Sequence, residues 1–389
     1  MKKTLALAIT ITLALNTFTS LAIHEKSHST VMMLKDNISM ELNSKSACLM
    51  EAETGEIIYE QNATEHLEPA SVTKIMSTLL IYDALKDGKI KKEDVVTASS
   101  TASDMGGSQI WLEPGEQMSV DEMLKAILVV SANDCTVAMA EHIAGSEEAF
   151  VTLMNARAKE LGMENTNFVN STGLPAENHY SCAKDISIMT RALLCHEDVF
   201  NYTTIWMDSL RGGEFGLSNT NKLIRFYPGA NGMKTGFTDS AGYCMSATAT
   251  RDGVTLISSV MKADTSDNRF SDAKKLLDYG FANFTVYKIE QNTFPPIQVK
   301  GGATKSVGLT CDTGAILLTK GRDKMVESVT ELPEFISAPL SEGQVVGKIR
   351  YILSGEEIAC VDIKTLNGVE KLNFAGIFKE LLAKAVMIR

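Results

Sequence analysis

Ser71 and Lys74 stand three residues apart in Glu68-Pro69-Ala70-Ser71-Val72-Thr73-Lys74. On a helix that spacing puts both on one face, about one turn from each other. A serine at a helix start meets unpaired N–H groups and the positive end of the dipole, where an anion is stabilised. A buried lysine sheds its charge readily, because desolvation disfavours the ammonium. The pair therefore has the makings of an activated nucleophile, with Ser71 attacking and Lys74 taking its proton. Lys234 and the apolar helix face are both expected to push the Lys74 pKa down. The tetrapeptide alone is weak evidence, since Ser271-Asp272-Ala273-Lys274 repeats it on what reads as a solvated helix face.

Two further groups supply companions. Ser131-Ala132-Asn133 follows a helical stretch. Serine and asparagine there are common caps and turn formers. In a cleft, Ser131 passes a proton and Asn133 holds a substrate amide. Lys234-Thr235-Gly236 precedes a strand of small and apolar residues. A lysine on an edge strand is usually solvated and guards against aggregation. Such an edge also binds extended peptides, with Gly236 letting the ligand backbone come close and Lys234 and Thr235 meeting its carboxylate.

The elements that position these groups read in order. Residues 46–50 and 56–59 form two strands across the turn Glu53-Thr54-Gly55. The Ser71 helix follows, with Ile75, Met76, Leu79 and Leu80 on one apolar face. Residues 102–115 form a loop around Gly106-Gly107-Ser108 and Pro114-Gly115. Ser119 caps a helix to residue 130, with Glu122 completing a capping box. Helices 134–143 and 146–161 come next, the second closed by Gly162. Residues 170–180 are a loop and 184–194 a helix. Strands 242–249 and 254–260 join across Asp252-Gly253. Helix 268–279 ends at Gly280-Phe281, which closes the domain. Beyond residue 286, short runs at 297–299, 306–309, 315–318, 345–353 and 357–363 indicate a small all-β domain.

A chain of 389 residues holds two domains, and its 44% hydrophobic and 22% charged residues are ordinary for a globular protein. The net charge of −11 argues against nucleic acid as a partner. Lys2 and Lys3, the apolar stretch 5–15 and Ser20-Leu21-Ala22 read as a secretory signal over 1–22, followed by a polar leader to residue 40. The seven cysteines are odd in number and widely spaced, without zinc spacing or a disulfide framework; buried thiols are expected.

Ser71-x-x-Lys74, Ser131-x-Asn133 and Lys234-Thr235-Gly236 together, in that order, are the trio of serine acyl-transfer enzymes that react with penicillin. A literal Ser266-Asp267-Asn268 falls after Lys234, so it is a decoy. From about residue 46 the chain resembles the low-molecular-mass penicillin-binding proteins that act as D-alanyl-D-alanine carboxypeptidases. Similar runs are 69–76, Gly106-Gly107-Ser108 with Glu113-Pro114-Gly115-Glu116, 140–145, His179-Tyr180-Ser181, 228–242 and 269–281. Cys135 and Cys182 depart from the family pattern, where alanine and a hydroxyl residue are expected.

The resemblance implies an α+β fold. A catalytic domain over 41–282, an antiparallel sheet flanked by helices with a helical lobe, precedes a β domain over 283–371. It implies a cell-wall stem peptide ending in D-Ala-D-Ala as substrate and β-lactam antibiotics as inhibitors. Ser71 attacks, Lys74 is the base, and Ser131 relays the proton. The N–H groups of Ser71 and Phe237 form the oxyanion hole. Asn133, Lys234, Thr235, Gly236 and Arg269 bind substrate, with Arg269 on the terminal carboxylate, and no metal or organic cofactor is needed. A class A β-lactamase would use a Glu-x-x-x-Asn loop, whereas Glu164 and Asn167 are three apart. A D,D-endopeptidase or transpeptidase acting on cross-links shares the trio; a non-catalytic scaffold would show it damaged. The tail, 372–389, spaces Phe374, Ile377, Phe378, Leu381, Leu382, Ala385 and Ile388 as one helical face. That is an expected anchor lying in a membrane interface.

Overall fold

The computed structural model describes residues 40–374 except Thr293, together with Gly376 and Phe378. The signal and leader therefore lie outside the described residues, apart from Met40, and so does most of the tail. The described residues form two compact units. One holds those up to Tyr287 together with Leu317–Asp323; the other holds those of Lys288–Ile316 and from Lys324 onward. A later segment thus crosses the expected division at 282/283. Leu317 packs in the same core as Phe284, so a later strand end returns to the first unit.

In chain order the first unit is built from strand β1 (Ser46–Glu51), strand β2 (Ile57–Gln61), helix α1 (Lys74–Lys86), helix α2 (Val120–Val129), helix α3 (Asn133–Ala144), helix α4 (Glu147–Glu160), helix α5 (Ala183–Leu194), strands β3 (Ala230–Thr238), β4 (Gly242–Arg251) and β5 (Val254–Ala263), and helix α6 (Ser266–Asn283). The sheet runs β2-β1-β5-β4-β3, with every pairing antiparallel. Asp252 and Gly253, both at positive φ, make the β4–β5 turn, as a two-residue hairpin requires.

Both faces of the sheet are covered. Ala47, Leu49, Met245, Ala247, Leu256 and Val260 face the core shared with Phe270, Leu276 and Leu277 of α6. On the other side, Thr190 and Ser187 of α5 bond Ser246 (2.8 Å) and Ser259 (2.8 Å). Hydroxyl pairs thus let that helix lie close to small strand residues. Gly280 does not end α6, which runs on to Asn283. A Cβ there would lie 2.4 Å from the Leu256 side chain, so this glycine is where the helix crosses closest to the sheet.

In the helical lobe, α1 is buried on all sides from Lys74 to Leu79, not on one face. Lys74, Ser77 and Thr78 are as inaccessible as Ile75, Met76 and Leu79. Ala70–Thr73 forms a separate 3-10 turn ahead of it. The capping box of α2 is present, with Ser119 and Glu122 bonded reciprocally. Residues 102 and 103, read as loop, belong to the short helix Ser100–Ser103. Among the described residues no cysteine is joined in a disulfide, and five of the seven are buried. Cys182 caps α5 through its sulfur, 3.4 Å from the Asp185 N–H, as a hydroxyl would.

The second unit is all β. A three-stranded sheet pairs Ile297–Lys300 with Ser306–Val307 on one side and Phe335–Ser337 on the other. A four-stranded sheet runs Leu309–Cys311, Glu356–Thr365, Val345–Leu353 and Glu327–Glu331. Glu327–Glu331 is exposed along its whole length, so it carries no alternation by which to find it. Among the described residues no helix is long and apolar enough to cross a membrane.

Candidate active site

Ser71 lies in the 3-10 turn and Lys74 opens α1, so one tight turn separates them. The Lys74 Nζ is 2.9 Å from Ser71 Oγ and donates to the Thr172 carbonyl at 2.8 Å. Lys74 is wholly buried. Burial and then the Lys234 ammonium hold its pKa well below the usual lysine range, while Asp134 pulls weakly the other way. A neutral amine hydrogen-bonded to a serine hydroxyl is able to act as a base.

Ser131 joins α2 to α3 at φ 68, a left-handed conformation uncommon for serine. It is 4% exposed, and its Oγ has no hydrogen-bond partner among the described residues. Strain together with an unspent buried hydroxyl marks a group held for a ligand. Asn133 donates from Nδ2 to Gly106 O (2.6 Å) and from its backbone to Ser108 O (2.7 Å). Its Oδ1 is buried and unpartnered, ready to accept an amide N–H. Gly107, at φ 79, leaves room for that side chain: a Cβ there would lie 2.8 Å from Asn133 Nδ2.

The third group lies on β3, the edge strand, as its sequence suggested. Lys234 is not solvated there. It is 1% exposed, and burial, then the Arg269 guanidinium, lower its ammonium to about 7. Thr235 bonds Thr220 Oγ1 at 2.8 Å. Gly236 also has a neighbour within the protein. A Cβ at 236 would lie 2.8 Å from Pro69 O and 3.0 Å from Ser71 N, so its bareness admits the nucleophile turn. Phe237 is half exposed, its ring 4.4 Å from that of Tyr243. Arg269 was expected on a substrate carboxylate. It is nearly buried, and its Nη1 donates to the carbonyls of Gly236 (3.1 Å) and Cys244 (3.3 Å), while Nη2 reaches Ser266. These bonds brace the edge strand at Gly236.

Sequence reading gave residues 170–180 as a loop but missed their place beneath the lysine. Asn170 Oδ1 accepts from the N–H groups of Thr172 (3.2 Å) and Gly173 (2.7 Å), curling the chain so that Thr172 O faces Lys74. Glu147 receives both the N–H (2.9 Å) and the hydroxyl (2.6 Å) of Ser171. His179 is buried. Its Nδ1 accepts from Val169 N–H and its Nε2 lies 2.9 Å from Thr73 Oγ1; burial lowers its pKa to about 4. Asn170-Ser-Thr-Gly carried a legible turn signature; nothing in the sequence marked Glu147. The β-lactamase elements are not assembled: Glu164 is exposed and Asn167 binds the Asn178 carbonyl. Ser271 is exposed on α6, and Ser266-Asp267-Asn268 is that helix's first turn. Among the described residues no cluster of His, Cys, Asp or Glu is set to hold a metal ion.

Residues 31–265 match the family model described as D-alanyl-D-alanine carboxypeptidase, and 281–371 match that of the penicillin-binding protein 5 C-terminal domain. The chain is 43% identical to D-alanyl-D-alanine carboxypeptidase DacF of Bacillus subtilis (strain 168), across 87% of this chain and 89% of that one. Its fold is similar to penicillin-binding protein 5 of Haemophilus influenzae, with a TM-score of 0.75 and 33% identity over 86% of this chain and 99% of that one. It also matches penicillin-binding protein D2 of Listeria monocytogenes in its ampicillin-bound form, at 31% identity and a TM-score of 0.58 over 63% of this chain and 100% of that one. With a trio of motifs around one buried lysine and matches along nearly its whole length, this chain belongs to the D-alanyl-D-alanine carboxypeptidase family.

Proposed function

We propose that this chain is a serine-type D-alanyl-D-alanine carboxypeptidase that removes the terminal D-alanine from peptidoglycan stem pentapeptides. The observation that carries the reading is the buried Lys74 amine 2.9 Å from Ser71 Oγ. Ser71 Oγ attacks the carbonyl between the two D-alanines as its proton passes to neutral Lys74. The oxyanion settles against the N–H groups of Ser71 and Phe237. Ser131 relays the proton to the departing amine, the C–N bond breaks and an acyl-enzyme remains. Water then releases the shortened peptide and restores the serine. Asn133 Oδ1 takes a substrate amide, while Lys234 and Thr235 take the terminal carboxylate. That carboxylate favours the charged form of a lysine poised near neutrality, so binding and protonation reinforce each other. β-Lactams acylate Ser71 as mimics of the D-Ala-D-Ala end and leave slowly. The N-terminal segment exports the enzyme, and the tail lays it on the outer face of the membrane.

The test is release of D-alanine from a synthetic pentapeptide, paired with fluorescent penicillin labelling and peptide mapping. Label on a peptide spanning Ser71, lost in Ser71→Ala and weakened in Ser131→Ala, supports the assignment. Unchanged label in Ser71→Ala sinks it. Rapid nitrocefin turnover without D-alanine release would favour a β-lactamase instead.

A further inference from the structure

Trp111 is 67% exposed, yet its backbone is held from two sides. It sits at φ 54, a true outlier for a bulky residue. Two charged groups hold it there. On one side the buried Asp134 carboxylate accepts from the N–H groups of Ile110 (3.1 Å) and Leu112 (3.1 Å), the residues flanking Trp111. On the other, Arg211 donates to Ile110 O (2.8 Å) and Trp111 O (3.3 Å). Arg211 is itself clamped by Glu116 through two bonds of 2.8 and 3.1 Å. The indole meets Phe215 edge-on at 5.7 Å, and the Arg211 guanidinium lies 5.4 Å from that same ring.

Folding gains little from this indole, because most of it remains in water. Strain that burial does not reward points to presentation. A pre-ordered aromatic surface loses no side-chain entropy when something stacks on it. The loop also fixes where it is presented. Ser108, three residues earlier, accepts the Asn133 N–H through its carbonyl. Three residues of chain reach at most about 11 Å, so the Trp111 backbone lies within about that distance of the residue that holds Asn133.

We infer that Trp111, backed by Phe215, is a stacking platform for an N-acetylated amino sugar of the glycan strand that carries the stem peptide. The inference rests on the proposed substrate. On that reading Lys234 and Thr235 take the carboxylate end, and the peptide runs past Asn133 toward its glycan attachment. A pyranose presents a flat face of C–H groups that suits an aromatic ring, with its polar groups left in water. Arg211, neutralised by Glu116, adds no net charge that would select an ionic partner.

The test uses the full chain with three readouts. First, kcat/KM is compared for a free pentapeptide and for a disaccharide-linked pentapeptide. In Trp111→Ala the preference for the linked over the free substrate falls roughly tenfold, the loss expected of a truncated aromatic anchor; Trp111→Phe keeps most of it. Second, in Trp206→Phe, which leaves Trp111 as the only indole, N-acetylglucosamine trimer changes the emission saturably, with or without catalysis. Third, fluorescent penicillin labelling reports whether each variant is folded and active. Equal losses on both substrates would assign Trp111 to the peptide and overturn the glycan reading, as would an unresponsive indole. If no variant cleaves pentapeptide but the emission still responds, the proposed activity fails and the platform stands.

Discussion

Gly173 and Ala70 meet main chain to main chain: a Cβ on Gly173 would lie 1.9 Å from the Ala70 carbonyl oxygen. Ala70 is itself at φ 48, at the head of the turn that presents Ser71. The nucleophile is thus shaped from outside, by a loop a hundred residues further along the chain.

Gly173→Ala must therefore displace that turn, and at φ 84 the new side chain is strained as well. Acylation by fluorescent penicillin should drop at least about 100-fold, the scale on which small misplacements cost an enzyme. Thermal unfolding should also fall. Wild-type acylation in this variant would show that the loop does not shape the nucleophile.

The Lys234 charge disfavours a second charge on Lys74. Lys234→Met removes it, so the Lys74 pKa rises and less of the amine is neutral at a given pH. The acid limb of the acylation rate, measured at saturating penicillin, should move to higher pH. An unmoved or acid-shifted limb would separate the two lysines.

His179 binds a proton only near pH 4 when folded, against 6.5 in its ordinary state. Between those values the unfolded chain holds more protons, so stability falls as pH drops through this window and levels below it. His179→Gln should flatten that part of a denaturant-midpoint profile. A variant as acid-sensitive as the parent would place the acid-labile group elsewhere.

Arg269→Met strips a donor from the Gly236 carbonyl of the edge strand and from the Cys244 carbonyl. Stability should fall by about 1–3 kcal/mol, the usual cost of unpaired buried groups. Acylation should fall more than penicillin affinity, because the donor braces the strand beside Ser71. A pure loss of affinity would return Arg269 to the carboxylate.

Truncation after Leu372 should release the enzyme from membranes with its activity kept, read as D-alanine release in the soluble fraction. A truncated form that still sediments, or unfolds, would mean that the tail is packing and not an anchor.

What the sequence determined by itself was local or periodic. Serine and lysine three apart, the Ser119–Glu122 capping box, the Asp252-Gly253 hairpin and the short apolar runs of the strands each depend on neighbours a few residues away, so they were legible in one dimension. Tertiary structure decided the rest, because it depends on which distant segments meet. It buried Lys234 on a strand that reads as a solvated edge, and it buried the start of α1 all round, where its apolar spacing showed only one face. It set Gly236 against the Ser71 turn and tied Arg269 to the Gly236 carbonyl of the edge strand. Thr172 and Gly173 read only as part of a turn, and Glu147 only as one acid on a helix, so nothing in the sequence tied them to the nucleophile. Their part comes only from where the fold sets a carboxylate, a carbonyl and a missing side chain against the nucleophile turn and its lysine.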